Sequence, residues 1–398
     1  MSLSEKWNYP KVSAIIPTFN CASFIKDTVE SVLKQTVAFD ELIIIDDCST
    51  DDTCSILEDL LSKQTAIKQV VFKRQAANLG PSRVRDVGLS LATNDLIVYM
   101  DHDDIAEPTM LEELASHMLK IKHNEYGLVH SACSQIDEAG CFIPGIHRWQ
   151  QVGTEEILGY EFVRNQILSM SGVLIKKAFL IKAGGFDAEL RYSQDWDLWL
   201  RLAQTGGFGY VDQPLVRIRR HPGNTSKDIS HFLEDELKVL SKYSLDFIQD
   251  AINKRHLPVE NNYLDFASIL IKLNRLNEAY NILIKTIELN PDFSSSYFYL
   301  GIYYLKKGCL EKAEQFFKQV LDIRTDNAAA QNNLGCIRAL AGDLQGAEKF
   351  FAKAINQLPN YLDALSNKKI LADASEVLVD DLKFTLRELR PVLLTYNP

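Results

Sequence analysis

From Pro258 onward the chain repeats itself with a period of about 34 residues, and that period limits what it can fold into more than any other feature. Three copies align as Glu260–Phe293, Ser294–Asn327 and Ala328–Tyr361. A small residue recurs in the first half of each copy (Ala267, Gly301, Gly335) and another in the second half (Ala279, Ala313, Ala347). Large apolar residues recur as Phe266, Leu300 and Leu334, and as Leu283, Phe317 and Phe351, while Pro291, Thr325 and Pro359 stand in the closing turns. Small residues let paired helices approach closely, and the large ones fill the gap to the next pair. Such hairpins cannot bury an apolar face alone, so they must stack. Unrelated amphipathic helices would not keep coincident columns at one spacing.

These columns resemble the tetratricopeptide repeat, which implies an all-α array with an extended concave surface. Tyr263, Tyr297, Tyr304, Asn332 and Asn333 are expected on its inner helices. Aromatic and amide groups there suit a polypeptide or a glycan, so the array offers a surface to a protein partner or to the acceptor. The simpler alternatives are buttressing and self-association. After Tyr361 the register fails, since Lys368 and Lys369 stand where the apolar and small residues belong; the stretch to about Arg390 reads as a polar cap.

Ahead of the repeats the pattern is different. Short apolar runs (Val12–Ile16, Glu41–Ile45, Lys68–Phe72, Leu96–Met100) alternate with helical patterns at Ser23–Gln35, Asp51–Ser62 and Pro81–Leu91. This alternation implies crossover units around a parallel sheet covered on both faces. The expected division is a first domain over 1–227, a connecting helix within 228–257 (Asp228–Ala251), and the repeats with their cap over 258–398. With 398 residues, two or three cores are expected. The net charge of −10 excludes a nucleic-acid partner held by phosphate electrostatics. No apolar run is long enough for a transmembrane segment, and Met1–Tyr9 lacks a signal-peptide core. Seven cysteines without a C-x-x-C pair fit a reducing cytoplasm, including the inner face of its membrane.

The polar clusters fall at strand ends. Asp101-His102-Asp103-Asp104 directly follows Leu96–Met100. Ligands of open α/β sheets gather beyond the carboxyl ends of strands. Acids crowded there repel one another unless a cation sits among them, and oxygen ligands suit Mg²⁺ or Mn²⁺. A solvated loop or a helix cap is the alternative for this cluster taken alone. Pro17-Thr18 ends the first strand, Asp46-Asp47 the second, and Asn78-Leu79-Gly80 leads into Arg85. A carboxylate can accept from a pyrimidine N3–H, and Arg85 can approach a base or a diphosphate.

Together these motifs resemble the nucleotide-binding half of the inverting glycosyltransferases of family 2. The resemblance implies a Rossmann-like, mostly parallel GT-A sheet as the catalytic domain, followed by the all-α array. It implies that Pro17, Thr18, Asp46, Asp47, Asn78, Gly80 and Arg85 line the nucleoside site. Asp101 would face the ribose and share a divalent metal with Asp103, and His221 would lie near the metal or the diphosphate. Val84 and Asp86 depart from the family's usual residues around Arg85. Ser171–Ile175, Gly184-Gly185-Phe186-Asp187 and Gln194-Asp195-Trp196-Asp197 resemble the acceptor-side segments, and the last implies Asp195 as catalytic base. Helix capping is the other reading of Asp195 and Asp197, and core packing that of Trp196 and Trp199. His117 and His123 are expected on helix surfaces.

The implied reaction moves a sugar from a nucleoside diphosphate sugar, by default a UDP-sugar, to a hydroxyl of a glycan, lipid-linked or protein acceptor. A base must remove the hydroxyl proton as the bond forms. Neither the Gly-rich loop of a nucleotidyltransferase nor the G-x-G-x-x-G of a dehydrogenase follows Val12–Ile16. The rival from another class is a repeat scaffold carrying a degenerate transferase domain.

Overall fold

The computed structural model describes residues 10–121, 125–224, 229–373 and 378–387. The chain divides into two compact units, Met1–Arg255 and His256–Pro398.

The first unit is built on a nine-stranded sheet. Its strands are β1 (Val12–Thr18), β2 (Glu41–Asp46), β3 (Gln69–Arg74), β4 (Leu96–Tyr99), β5 (Ile105–Ala106), β6 (Tyr126–Ile136), β7 (Phe142–His147), β8 (Val173–Lys176) and β9 (Gly207–Arg219). They run in the order β3-β2-β1-β4-β8-β6-β9-β5, with β7 beside β6. β3, β2, β1 and β4 are parallel neighbours, as the alternating pattern predicts. Beyond β4 the sheet is mixed: β8 joins antiparallel to β4 and β6, whereas β9 runs parallel to β6.

Continuous apolar runs suit strands covered on both faces, and alternate residues feed two cores. Ala14, Ile16, Leu42, Ile44 and Val98 pack with Ile25, Val29, Leu57 and Leu114 of the helices on one face. Ile15, Ile43, Ile45, Ile97 and Tyr99 pack with Val84, Leu198, Trp199 and Leu202 on the other. Each buried Val, Leu or Ile among them stabilises the fold by roughly 1.5–3 kcal/mol. A Cβ on Gly88 would collide with the Ile15 side chain, so glycine sets how closely helix Pro81–Leu91 lies on β1.

Two expectations change, and a third resolves towards core packing. The connecting segment is not one helix but two, Ile229–Ser241 and Leu245–Asn253; its first residue, Asp228, lies outside the described residues. The break has a local cause, since the Ser244 hydroxyl caps the second helix by accepting from Phe247 N (3.2 Å). Both helices belong to the first unit, where Phe162 packs edge-on to Tyr243 and Phe247, and Asp235 accepts from Arg191 N and Tyr192 N (2.9 Å each). Trp196 and Trp199 are buried core residues. His117 is half buried rather than solvated, and burial lowers its pKa; His123 lies outside the described residues.

The second unit is helical. Its hairpins are Val259–Lys272 with Leu276–Leu289, Ser294–Lys306 with Leu310–Ile323, and Ala328–Leu340 with Leu344–Gln357. A Cβ on Gly301 would stand 2.6 Å from Phe317, and one on Gly335 2.6 Å from Phe351, so the small and large columns meet as wedge and notch. The turns repeat as well: Asn274 (φ 57°), Gly308 (φ 70°) and Gly342 (φ 81°) take the left-handed conformation at one position of each hairpin. A further helix, Leu362–Asp373, begins one full repeat after Ala328 and exposes Lys368 and Lys369. The cap segment from 388 to Arg390 lies outside the described residues. Among the described residues no helix is long and apolar enough to cross a membrane, and the seven cysteines are free.

Candidate active site

The parallel order 3-2-1-4 brings the ends of β1, β2 and β4 side by side, and the loops after them interlock. Thr18 is buried, its hydroxyl 3.3 Å from the Ile45 carbonyl and 3.4 Å from Asp46 Oδ1. Asp46 is fully buried and accepts from Ser49 N (3.0 Å) and Ser49 Oγ (2.5 Å), with Arg74 Nε at 3.4 Å. Asp47 accepts from Leu79 N (2.7 Å) and Gly80 N (2.9 Å), one per oxygen, and its carbonyl accepts from Asn78 Nδ2 (3.2 Å). The paired acids thus hold the third loop in place. Gly80, at φ 85°, makes the turn that an L-side chain would strain. The Pro17 carbonyl accepts from His102 Nδ1 (3.3 Å).

Arg85 is buried against the acidic loop. Its Nη2 lies 2.6 Å from Asp101 Oδ1, and Phe186 packs on the guanidinium, while Nε and Nη1 have no hydrogen-bond partner among the described residues. Buried donors of a charged group are costly to leave unpaired, so this guanidinium has hydrogen-bonding capacity to spare for an anionic or polar group. Asp86, the departure from the family pattern, faces away from this ligand side: its carboxylate accepts from Phe186 N (3.1 Å) and fixes the Gly184-Gly185 turn (φ 84° and 71°). Val84 is core.

The four acidic-loop residues have separate environments. Asp101 is held by Arg85 and by Ser169 Oγ (3.2 Å). Asp104 is buried, accepting from Ser169 Oγ (2.9 Å) and Arg219 N (3.0 Å); burial and the charges of Asp103 and Asp101 push its carboxyl well up, towards the protonated form. Asp103 Oδ2 meets His221 Nε2 (2.9 Å) and Asn224 Nδ2 (3.4 Å). Burial would raise the Asp103 carboxyl, but the hydrogen bond from His221 and the neighbouring imidazoles outweigh it, so the group lies below its ordinary value. His221 Nδ1 accepts from Gly223 N (3.2 Å), which leaves Nε2 to face Asp103. A carboxylate and an imidazole sharing one proton form a donor pair that a divalent cation can occupy, with phosphate oxygens and water completing its shell. Asp101, tied to Arg85, is less free to ligate than Asp103.

Asp195 sits in the first turn of helix Gln194–Ala203, accepting from Trp196 N (2.7 Å) and Asn165 Nδ2 (3.3 Å). Burial raises its carboxyl to about 6, against the lowering effect of the Trp196 N–H and of Arg85. Asp197 is structural: Arg201 (2.7 Å) and Lys242 (2.6 Å) neutralise it in the core.

Several residues that position the site carry no sequence signal. Ser169 joins Asp101 to Asp104, and Asn165 orients Asp195. Arg219, buried, links the Asp103 carbonyl (2.9 Å), the Glu138 carbonyl (3.1 Å) and Asp27 (3.1 Å). Asn224 alone has a local cue, its place just after His221 in a Pro-Gly turn.

Residues 13–171 match the glycosyl transferase family 2 domain, and residues 261–293 and 283–315 match tetratricopeptide repeats. An uncharacterized glycosyltransferase of Haemophilus influenzae is 25% identical over 272 residues, 68% of this chain and 88% of that protein. A chondroitin synthase of Pasteurella multocida is 27% identical over 54% of this chain but only 21% of its own length. The S. aureus TarS fragment 1–349 bound to UDP-GlcNAc, 17% identical, aligns over 95% of this chain and 98% of its own with a TM-score of 0.49. The chain carries a family 2 glycosyltransferase domain, with tetratricopeptide repeats behind it.

Proposed function

We propose that this domain transfers a sugar from a nucleoside diphosphate sugar to an acceptor hydroxyl with inversion, and that transfer depends on Mn²⁺ or Mg²⁺. The observation that carries this reading is Arg85, a buried guanidinium whose Nε and Nη1 have no partner among the described residues and whose Nη2 is held by Asp101, in the same loop as the Asp103–His221 pair. Pro17, Thr18, Asp46, Asp47, Asn78 and Gly80 shape the nucleoside side of that cleft. Arg85 donates to the nucleotide, and Asp101 holds Arg85 and is available to the ribose. Asp103 with His221 would hold the cation, whose chemistry is to stabilise charge on the departing diphosphate.

Asp195 removes the acceptor proton. A carboxyl near 6 is mostly ionised at neutral pH yet basic enough to share a proton in the transition state. Asn165 and the Trp196 N–H fix its orientation. A single base with no second carboxylate nucleophile in these roles favours direct displacement, which inverts the anomeric centre.

The test measures thermal stabilisation by UDP, GDP and dTDP, with and without Mn²⁺, and release of nucleoside diphosphate from the matching sugars. One nucleotide should stabilise the chain in a Mn²⁺-dependent way. Arg85→Gln should abolish that shift, and Asp103→Ala should remove its dependence on Mn²⁺. Unchanged metal-dependent binding in Asp103→Ala would sink the cation assignment.

A further inference from the structure

The repeat array contains a segment that is not part of any hairpin. Residues 382–386 return along the first helices of the last repeats, held by side-chain to backbone hydrogen bonds. Asn333, on Ala328–Leu340, accepts from Thr385 N (2.8 Å) and donates to the Thr385 carbonyl (2.9 Å). Asn367, on Leu362–Asp373, does the same to Lys383, accepting from its N (2.7 Å) and donating to its carbonyl (2.9 Å). Asn332 adds a second donor to the Lys383 carbonyl (2.9 Å). All three asparagines are fully buried.

Two features set this apart from incidental packing. Asn333 and Asn367 are one full repeat apart, the same position in successive repeats, and they grip the backbone of residues 385 and 383. The repeat spacing is thereby matched to a two-residue step along the segment. The contacts are also mostly to backbone, so any residue except proline can make them. Side chains add a coarse filter. Leu382 is buried with Cys336, Ala339 and Phe351, and Phe384 packs beside them. The Thr385 hydroxyl donates to Asp363 (2.8 Å), accepts from Asn332 (3.2 Å) and meets the Tyr361 hydroxyl. Lys383 points to solvent.

We propose that this asparagine-lined face is a binding site for an extended polypeptide of the pattern apolar-any-apolar-Thr/Ser, and that the chain's own Leu382–Thr385 occupies it as an internal competitor. Because it belongs to the same chain, the internal segment competes at an effective concentration on the order of millimolar. A partner segment of similar affinity is therefore masked until the internal segment leaves. This is separate from the transfer reaction, because no residue of the transferase site takes part.

The probe is a labelled peptide of this chain's Asp381–Arg387 sequence, followed by fluorescence anisotropy on the full chain. Lys383→Pro/Thr385→Pro removes the two N–H groups from which Asn367 and Asn333 accept. That variant should bind the peptide at least about tenfold more tightly than the parent, as loss of a tethered competitor requires. Adding Asn333→Ala and Asn367→Ala should reverse the gain, and a probe with Val at the Thr position should bind more weakly. Circular dichroism checks that the helices persist, and a chain ending at Asp381 serves as a second released form. In the otherwise unaltered chain, Asn333→Ala should also speed tryptic cleavage after Lys383. The proposal fails if a folded released form binds the peptide no better than the parent, if binding survives the asparagine changes, or if cleavage after Lys383 is unaffected.

Discussion

The two units hold themselves together in opposite ways. In the array a contact made in one repeat is made again in the next: Phe317 closes on Gly301 as Phe351 closes on Gly335, each 2.6 Å from where a Cβ would stand. In the sheet unit the decisive contacts have no copies. Arg219 N reaches Asp104 across 115 residues, its guanidinium reaches Asp27 across 192, and Asp195 depends on Asn165. A repeat protein is close to a sum of local interfaces, so losing one wedge weakens one joint. A buried polar network behaves otherwise, because removing one member leaves its partners unsatisfied. Stability is therefore distributed in the array, whereas chemistry is concentrated in single residues of the sheet unit.

The sharpest way to break that contrast is Asp195→Asn. Transfer should fall by ~10²–10⁴ while nucleotide binding persists, because the change removes basicity and keeps the side chain's size and the acceptor for Trp196 N. Stability should move the other way. The folded Asp195 carboxyl, at about 6, lies above its ordinary value of 3.8, so the ionised group opposes folding above pH 6. The Asn variant should then be more stable than the parent near pH 7 by up to about 3 kcal/mol, and the advantage should shrink as pH falls towards 4. For the parent, kcat/KM should drop about tenfold per pH unit below 6. Equal activity of the two proteins at pH 7 would show that another group takes the proton.

Phe351→Ala should cost about 3–5 kcal/mol, read as lower unfolding temperature of the helical unit, and leave nucleotide affinity within about twofold. A comparable loss of nucleotide affinity would mean that wedge and site are not independent. The smallest effect should come from Asp86→Asn. An amide oxygen can still accept from Phe186 N, and burial already raises the Asp86 carboxyl, so both stability and activity should stay within about 1 kcal/mol.

The difference between the units also explains what could be read from the amino acids alone. The array's columns are periodic, so Gly301, Gly335, Phe317 and Phe351 stand out without any structure. So do strands covered on both faces, whose apolar runs end where β1, β2 and β4 end. The left-handed turn column of Asn274, Gly308 and Gly342 is equally periodic but mixes two residue types, which hides it. Ser169, Asn165 and Arg219 are invisible because each acts through partners far away in sequence. The roles of Asp46 and Asp47 are only half legible. Their position at a strand end is plain, but their grip on Ser49, Leu79 and Gly80 arises from the loops that the fold brings beside them. The break before Ser244 is a single capping residue inside an otherwise helical run.

The span between Asp104 and Arg219 also bears on the order in which a chain leaving the ribosome can become organised. β1 to β4 can pair as soon as residue 99 has emerged, since all their parallel partners are then present. The acids from Asp101 to Asp104 cannot be completed until Ser169, Arg219, His221 and Asn224 have been synthesised. Non-local pairings of this kind form slowly, because the intervening loop must close first. Each helical hairpin, by contrast, closes within a single repeat. The nascent chain thus carries a formed half-sheet with an unfinished, mutually repelling acidic edge for more than a hundred residues of synthesis, and ligand-binding competence arrives only as β9 docks beside β6.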